Sequence, residues 1–490
     1  MSQVRKMAVL GDEPPSTAGS LDPDLATGIP WSGEPKRANG DAQGAVDEDL
    51  LISPVFSDDA IALKFAAKHH EDLRYVDAWG KWLHWNGSDW RRDKVLGTFN
   101  RVRTICRAES TKCNNPREAK AVASAKTVAA VERLARCDER LAAISEQWDA
   151  DPWLLNTPGG IVDLRDGDLR AAKREDYCTK ITAVAPDGEC PLWHEFLDRI
   201  FAGDADLIAF MQRMCGYALT GDISEHALFF GHGSGANGKG RFVAAISGIM
   251  GTYATTAPME AFTDSRTDRH PTELAGLMGA RLVTAQETEK GRRWAETRIK
   301  TMTGGDKISA RFMRQDFFEF APQFKLLIMG NHRPGLRGVD ESIRRRMNLI
   351  PFTVTIPEEE RDPDLDKKLR TEWPGILAWM ITGCLKWQED GLRRPQAVIK
   401  ATEAYLRSED AIATWMEERC STGPNESTAS SELFGSWRLW AEGAGEPVGS
   451  QKALSQTLAD RGFVSVHTKA GTIFRGISLK PEETGDNWPG

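Results

Sequence analysis

The sequence lacks the patterns that would place it in a membrane or give it a metal or disulfide framework. It has no run of about 18 apolar residues, so we expect no membrane-spanning helix. Its eight cysteines include no C-x-x-C pair, which argues against a zinc ribbon and a disulfide scaffold. The apolar run near its start is too short for a signal peptide. A cytoplasmic location is therefore expected.

An excess of positive charge is missing as well. The chain has 71 acidic and 63 basic residues, for a net charge of −8. Proteins that bind nucleic acid over a whole surface are usually strongly basic. Any contact with DNA should therefore be local, in a channel or on one module. The length of 490 residues predicts about three domains.

One stretch, LFFGHGSGANGKGRF from Leu228 to Phe242, carries the clearest motif. It predicts a buried strand, a glycine-rich turn and the start of a helix. The turn matches the phosphate-loop template G-x-x-x-x-G-K-[S/T] at seven of eight positions, and Gly240 replaces the usual hydroxyl residue. Backbone N–H groups, the helix dipole and a lysine together favour a bound phosphate chain. The alternative is a turn that only connects a strand to a helix. The expected nucleotide contacts are Gly233, Ser234, Gly235, Ala236, Asn237, Gly238, Lys239, Gly240 and Arg241.

The order of elements predicts a multidomain α/β protein with five segments. Residues 1–48 have no apolar periodicity and are expected to be disordered. A mixed α+β N-terminal domain should follow in 49–190, and a helical collar in 191–221. The nucleotide-binding core should occupy 222–392. The last segment, 393–490, contains a helix, a second helix and a hairpin, the order of a winged helix.

Two features of the N-terminal half allow a functional and a structural interpretation. Four tryptophans between Trp79 and Trp90 lie beside cations and could stack on bases. A small sheet that packs them inward is the favoured alternative. The acidic pairs Asp149/Asp151 and Asp204/Asp206 could hold two metals. Neither pair ends an apolar strand, so loop and helix-cap roles are favoured.

Hydrolysis of a nucleotide needs more than the phosphate loop, and later strands supply candidates. Glu287 follows the strand ARLVTAQ and is placed to meet magnesium or to polarise water. Asn331 ends the strand FKLLIMG and can hold the attacking water or touch the γ-phosphate. Arg344, Arg345 and Arg346 suit phosphate oxygens and could reach the nucleotide of a neighbouring subunit in a ring. A turn asparagine and a solvated basic helix face are the structural alternatives.

Two segments are candidates for the local DNA contact. ISARFM and FFEF flank a turn, as in a hairpin that presents cations to the hole of a ring. In the C-terminal segment, the second helix and the hairpin could enter a DNA groove. An ordinary surface hairpin and a module for protein contacts remain the alternatives. The expected DNA contacts are Lys307, Arg311, Arg314, Lys452, Arg461 and Lys469.

Taken in order, these motifs resemble those of superfamily three helicases. The resemblance rests on GSGANGKG, LVTAQETE, TGGDKISARFMRQDFFEF, PQFKLLIMGNH and RRRMNLIPF, together with NTPGGIVDLRDG upstream. It is greatest to the phage and plasmid primase–helicases that are related to the poxvirus primase–helicase. The similarity extends from about Leu154 to the C-terminus.

The resemblance implies an AAA-like P-loop core that forms a hexameric ring, binds ATP and Mg²⁺ and unwinds DNA during replication. It implies that Lys239 binds phosphates, that Glu287 serves the metal and the water, and that Asn331 is a sensor. It also implies an arginine finger, for which Arg346 is preferred to Arg345. Single-stranded and forked DNA, a separate primase and a bacterial host cell complete the expectation.

Three other functions compete with a ring helicase of a phage, plasmid or integrated element. A phosphate-loop kinase or other NTPase would not need the hairpin or the arginines. A DNA-binding initiator or loader with a degenerate NTPase is supported only by Gly240. An NTPase subunit associated with a primase is the third. The N-terminal sequence is too short for a primase domain, so we do not expect primer synthesis.

Overall fold

The structure, a computed structural model, describes the chain from residue 54 to residue 481 with five interruptions. The described ranges are 54–264, 272–287, 292–313, 316–336, 340–468 and 471–481. The expected disordered tail, Arg314 and Lys469 lie outside these residues. Glu287 is described by its backbone alone.

The N-terminal part combines four helices with a small sheet. Its elements are α1 (Asp58–His69), β1 (Leu73–Val76), β2 (Lys81–Trp85), β3 (Trp90–Arg92), α2 (Gly97–Ser110), α3 (Pro116–Val122), α4 (Ala125–Ala135) and β4 (Ala142–Ala143). The sheet has the order β3-β2-β1-β4. Trp82 and Trp90 are buried, and the indole of Trp82 donates a 2.6 Å hydrogen bond to Glu132. For these two tryptophans, the favoured inward packing is confirmed.

A three-stranded antiparallel sheet and two helices lead to the central core. They are β5 (Leu154–Thr157), β6 (Gly160–Asp163), β7 (Leu169–Arg170), α5 (Pro191–Ile200) and α6 (Ala205–Leu219). Three of the four acids in the acidic pairs have the favoured structural roles. Asp204 caps α6, and Asp151 pairs with Arg165 at 3.0 Å. Asp149 accepts a 2.7 Å hydrogen bond from the backbone N–H of Thr179.

The centre of the molecule is a parallel sheet surrounded by helices. Its segments are β8 (Leu228–His232), α7 (Lys239–Met250), β9 (Ala254–Thr256), α8 (Thr272–Ala275), β10 (Leu282–Glu287), α9 (Glu296–Gly304), β11 (Ile308–Ala310), β12 (Phe318–Phe320), β13 (Lys325–Gly330), α10 (Glu341–Arg346) and β14 (Met347–Pro351). Three helices follow: α11 (Leu365–Thr371), α12 (Trp373–Asp390) and α13 (Gln396–Ser408). The sheet order is β14-β8-β13-β10-β9, and every pairing is parallel.

Burial explains why these strands form the middle of the sheet. All six residues of β13 are buried, and β8 is apolar from Leu228 to Phe230. Continuous apolar strands are typical of parallel sheets whose two faces are both covered by helices. One apolar cluster joins the sheet to α5, α6, α7 and α12, and a second joins it to α9, α10 and α13. Leu155 and Val162 of the upstream sheet belong to the first of these clusters.

Two buried cations fasten α6 to the amino ends of the central strands. Lys325, the first residue of β13, donates a 2.5 Å hydrogen bond to the carbonyl of Thr220. Arg281, just before β10, donates a 2.7 Å hydrogen bond to the carbonyl of Leu219. These carbonyls lie at the C-terminal end of α6, where the helix dipole favours positive charge. Burial lowers the pKa of Lys325 well below its ordinary value.

The C-terminal part has a core of its own, built around Trp415, Trp437 and Phe474. Its elements are α14 (Ala411–Arg419), β15 (Cys420–Ala429), α15 (Ser430–Ala444), α16 (Gln451–Asp460), β16 (Val464–Thr468) and β17 (Gly471–Leu479). The expected order of helix, helix and hairpin is present. β15 was not expected from the sequence, and it pairs with β17 in the sheet β15-β17-β16. Among the described residues, no helix has the length and apolar character needed to cross a membrane.

Candidate functional site

The carboxyl ends of three neighbouring strands meet at one edge of the central sheet. His232 at the end of β8 is in register with Gly330 of β13, and Gly330 is in register with Glu287 of β10. Adjacent strands lie about 4.8 Å apart, so these three backbones span roughly 10 Å. The loop 233–238 begins here, and Asn331 follows Gly330 directly. The parallel register therefore brings together the phosphate loop and the strand-end residues that the sequence singled out.

Two glycines of the loop are required by its geometry. A Cβ on Gly233 would lie 2.2 Å from both the side-chain nitrogen of Asn237 and the carbonyl oxygen of Phe352. Gly238 has a φ of +82°, and a Cβ there would lie 2.4 Å from the side chain of Ile200 in α5. Side chains do not fit such contacts, and a positive φ costs least for glycine. The loop is thus held between α5 and the segment after β14.

Lys239, the first residue of α7, points back into this loop. Its ammonium donates a 2.6 Å hydrogen bond to the carbonyl of Gly233 and a 3.2 Å hydrogen bond to the side-chain oxygen of Asn331. The lysine is 7% exposed, and burial lowers the pKa of its ammonium below the ordinary value. An anion beside Lys239 would stabilise its charged form. The residues present therefore fit a bound phosphate chain, and the N-terminus of a twelve-residue helix faces the same point.

The segment that follows β14 is hydrogen-bonded to the phosphate loop and to the residue before it. The backbone N–H of Phe352 donates to the carbonyl of His232 at 2.7 Å, and Asn237 donates from its side chain to the carbonyl of Phe352 at 3.2 Å. The N–H of Ile356 donates to Ala236 at 2.8 Å. Ser234 is exposed in this loop. Arg241 forms an ion pair with Asp366 of α11.

His232 is a site residue that the sequence analysis did not identify. It precedes Gly233, is half-buried, and lies close enough to Lys239 and Arg333 for their charges to act on it. Burial and these two cations lower the pKa of the imidazole below its ordinary value. Burial and these charges therefore favour the neutral form of the ring. Its position at the end of the strand before the loop was a signal that could have identified it.

The described residues do not provide a complete magnesium site. Gly240 has no side-chain oxygen, and within these residues no group of three or more His, Cys, Asp or Glu side chains is placed to hold a metal. A Cβ on Gly240 would have no neighbour within 4 Å, so the space beside the loop is open at this position. The geometry supports binding of a phosphate chain by the protein. It supports no reaction step through a metal.

The three arginines lie at the amino ends of the central strands, whereas the phosphate loop lies at their carboxyl ends. α10 ends at Arg346, and Met347 at the start of β14 is in register with Leu228 at the start of β8. β8 has five residues, so at about 3.3 Å per residue the two edges are roughly 13 Å apart. The arginines therefore cannot reach the phosphate loop of their own chain.

The individual arginines differ in how accessible they are. Arg346 is 6% exposed, and its guanidinium donates to the hydroxyl of Thr303 at 3.0 Å and to the hydroxyl of Ser342 at 2.7 Å. Arg345 is exposed, as is Arg344. Arg344 lies 3.8 Å from Glu341, a weak exposed pair. This geometry favours Arg345 over Arg346 for contact with another molecule, the reverse of the preference taken from the resemblance.

The hairpin expected between β10 and β13 is present. β11 and β12 pair antiparallel from Ile308↔Phe320 to Ala310↔Phe318. Lys307 is exposed at its base, and the guanidinium of Arg311 lies 4.7 Å from the ring centre of Phe317. Arg314, the third cation expected here, lies outside the described residues.

The cations of the C-terminal part are less uniform than the sequence suggested. Lys452 is exposed on α16. Arg461, at the end of the same helix, donates a 2.5 Å hydrogen bond to Asp410, the N-cap residue of α14. This pairing gives Arg461 a structural role, which its sequence context did not reveal. Lys469 lies outside the described residues.

The loop after Asn331 is tied to α13. The hydroxyl of Tyr405 donates to the carbonyl of Pro334 and accepts a 2.9 Å hydrogen bond from the indole of Trp294. Glu409 accepts a 2.9 Å hydrogen bond from the backbone N–H of Leu336. The chain that leaves Asn331 is therefore anchored to the helix that precedes the C-terminal part.

The fold and the site define a multidomain α/β protein with a glycine-rich loop and a buried lysine at the edge of a parallel sheet. Two protein-family profiles match it. One, described as "D5 N terminal like", covers residues 62–202, and the other, described as a family of unknown function (DUF5906), covers residues 231–346.

Curated relatives from large DNA viruses align with more than half of the chain. "Putative helicase L207/L206" of Acanthamoeba polyphaga mimivirus is 24% identical over 54% of this chain and 30% of its own length. "Putative helicase 022R" of Frog virus 3 is 24% identical over 57% of this chain and 29% of its own length. The chain thus spans about a third of the length of the curated relatives it matches.

Solved structures share the fold. Two apo structures of the NrS-1 C-terminal region have TM-scores of 0.50 with 11% and 12% identity; each covers 86% of this chain, which in turn covers 98% and 100% of theirs. These structures support the fold, and the family profiles and the viral relatives support the resemblance to phage and viral primase–helicases. The resemblance inferred from the sequence is thereby confirmed.

Proposed function

We propose that this chain is the ATP-driven motor of a replicative DNA helicase of a phage, plasmid or integrated element. The observation that carries the proposal is the contact of Lys239 with Asn331 at the carboxyl edge of the sheet, beside a glycine-rich loop. A lysine and an amide that meet there can both contact one terminal phosphate. The sheet order and the loop support assignment of the core as an AAA-like P-loop NTPase.

In this proposal, residues of the chain bind ATP and orient water. Backbone N–H groups of the loop 233–238 and the ammonium of Lys239 hold the phosphate chain. Asn331 orients a water whose oxygen attacks the γ-phosphorus, while the bond to the β,γ-bridging oxygen breaks and ADP leaves. Glu287, whose backbone lies one strand from Gly330, is the proposed carboxylate that accepts the proton of this water and that would bind Mg²⁺.

The position of the arginines favours a ring of identical subunits. They lie at the edge of the sheet opposite the phosphate loop, so a γ-phosphate that they contact must belong to another copy. Such a head-to-tail contact generates a closed ring when the rotation closes. We propose that the ring is a hexamer and that Arg345 is the arginine finger, with Arg346 fixing α10 through Thr303 and Ser342.

A continuous strand links the proposed DNA contact to the nucleotide. β13 begins five residues after the β11–β12 hairpin, is buried throughout, and ends next to Asn331. A shift at Asn331 can therefore be passed along β13 to the hairpin that carries Lys307 and Arg311, and Arg314 lies between its two strands in sequence. We propose that this hairpin binds single-stranded DNA and that the C-terminal part, as a winged helix, binds forked DNA through Lys452 and Lys469. A separate primase is the proposed partner.

ATP turnover with and without DNA tests this function. Wild-type protein should hydrolyse ATP, turnover should rise with single-stranded DNA, and a forked duplex should be unwound. Lys239→Ala should abolish all three activities because the charge that holds the phosphates is lost. Lys126→Ala, an exposed lysine on α4, is the matched control and should behave as wild type.

The same experiment separates the competing functions. DNA binding without any ATP turnover would favour an initiator or loader with a degenerate NTPase, in line with Gly240. Turnover that DNA leaves unchanged would favour a kinase or another NTPase. Either outcome would contradict the motor.

A further inference from the structure

The β11–β12 hairpin exposes large apolar side chains beside its cations. Phe312 is 36% exposed, Phe317 58% and Met313 72%. They lie within six positions of the chain, next to Arg311. Water-exposed aromatic rings close together on a short hairpin are unfavourable unless something covers them. Binding of phosphates by the cations of the hairpin would not require these exposed apolar side chains.

The rings form an ordered arrangement. Phe312 stacks on Phe318 with ring centres 5.6 Å apart and an interplanar angle of 26°, and Phe318 contacts Phe320 at 6.1 Å. Phe320 is buried in the apolar cluster under the sheet. The exposed ring of Phe312 therefore packs on a row of rings that begins in the buried core. Arg311, which follows β11, places its guanidinium over the ring of Phe317, which precedes β12, at 4.7 Å, and this contact restrains both side chains.

We propose that Phe312 and Phe317 are stacking platforms for unpaired DNA bases, with Arg311 contacting the adjoining phosphates. This inference rests on the proposed function, because it assigns to the same hairpin a contact with bases in addition to phosphates. Single-stranded DNA offers bases that stack on aromatic rings and phosphates that bind cations, so rings beside a cation match both of its parts. A purely apolar protein partner would not require Arg311 at this position, and the net charge of −8 makes a local cation significant.

Base stacking and phosphate contact predict different responses to the DNA. Stacking needs the base, whereas phosphate contact needs only the backbone and weakens with salt. Binding of oligo-dT should therefore be compared with binding of an abasic oligonucleotide of equal length, at low and at high salt. Wild-type protein should bind oligo-dT at least about fivefold more tightly, as expected for a single stacked base.

Three variants separate the contributions. The double variant Phe312→Leu with Phe317→Leu keeps apolar volume but removes the rings, and it should bind both oligonucleotides equally. Arg311→Gln should weaken binding of both by a similar factor and reduce the dependence on salt. Phe99→Leu is the matched control, since Phe99 on α2 is 37% exposed, and it should keep the wild-type preference. Unchanged thermal unfolding of the double variant checks that the hairpin is intact.

The result that overturns the inference is equal binding of both oligonucleotides by wild-type protein, or an unchanged preference in the double variant. A double variant that changes subunit association and keeps the preference would show that the rings contact protein, which also overturns it. ATP turnover of wild-type protein without DNA tests the proposed function separately. An active ATPase that does not distinguish the oligonucleotides would refute only the stacking.

Discussion

Lys239 and Asn331 are joined by a 3.2 Å hydrogen bond between the ammonium of one and the side-chain oxygen of the other. They are 92 positions apart in the chain, and the parallel register of β8 and β13 brings them together. A γ-phosphate that binds Lys239 must compete with this bond. In the proposed function, Asn331 would thereby respond to the presence of the terminal phosphate.

Asn331→Ala should separate binding from turnover. Lys239 and the loop N–H groups remain, so ATP affinity should stay within about threefold of wild type. The loss of one oriented polar group near the γ-phosphate should lower kcat by roughly 100-fold. Steady-state ATPase assays and nucleotide-binding titrations measure the two quantities. Asn100→Ala, an exposed asparagine on α2, is the control. A weaker affinity with an unchanged kcat would contradict the assignment.

Arg345→Ala and Arg346→Ala should both lose ATP turnover, but for different reasons. Arg345 is exposed, so its removal should change the free energy of unfolding by less than about 0.5 kcal/mol, and it should abolish turnover. Loss of Arg346 leaves Thr303 and Ser342 without their buried partner and should cost about 2–4 kcal/mol. Denaturant unfolding and ATPase assays compare the two. A stable, inactive Arg346→Ala with an active Arg345→Ala would restore the original order of preference.

The sequence predicted the elements of the core better than the directions of its side chains. The continuous apolar runs of β8 and β13, the glycines of the loop and the helix after it follow from local chemistry, and the strand ends placed Asn331 correctly. The burial of Arg346 could not be predicted, because it depends on Thr303, 43 positions away in α9. The pairing of Arg461 with Asp410 and of Arg241 with Asp366 is equally non-local. A strand such as β15, which is polar along most of its length, has no apolar alternation to reveal it.

Gly240→Ser should increase the apparent affinity of the protein for Mg²⁺ during ATP turnover. A Cβ at this position has no neighbour within 4 Å, so serine should be accepted without loss of stability. Its hydroxyl would supply the oxygen that the phosphate-loop template provides at this position. The Mg²⁺ concentration for half-maximal ATP turnover should fall several-fold relative to wild type. Gly240→Ala controls for the change in helix propensity, and an equal response of both variants would argue against a metal beside this residue.

Lys325 should make the stability of the protein depend on pH. Burial lowers its pKa in the folded state, whereas the unfolded chain has the ordinary value of about 10.5. The unfolded state therefore binds more protons between the two pKa values, and stability from this group rises with pH there. Lys325→Met removes the effect. Wild-type protein should gain stability relative to this variant as pH rises from 7 towards 10.

Denaturant unfolding at several pH values gives the free energy of unfolding of wild-type protein and of Lys325→Met. In the difference between the two values, the contributions of the other ionising groups cancel. A constant difference across the range would show that Lys325 has an ordinary pKa in the folded protein. A decreasing difference would reverse the sign of the expected shift.

Mixing Lys239→Ala with Arg345→Ala subunits tests the central claim most directly, that cleavage at Lys239 is completed by a neighbouring copy. Each variant alone should be inactive. In a ring, an intact phosphate loop from the Arg345→Ala subunit can meet an intact arginine from the Lys239→Ala subunit. Random 1:1 mixing should restore about a quarter of wild-type turnover, since one interface in four combines both intact residues. Turnover of the mixture that stays at the level of the separate variants, under conditions where subunits exchange, would contradict the account.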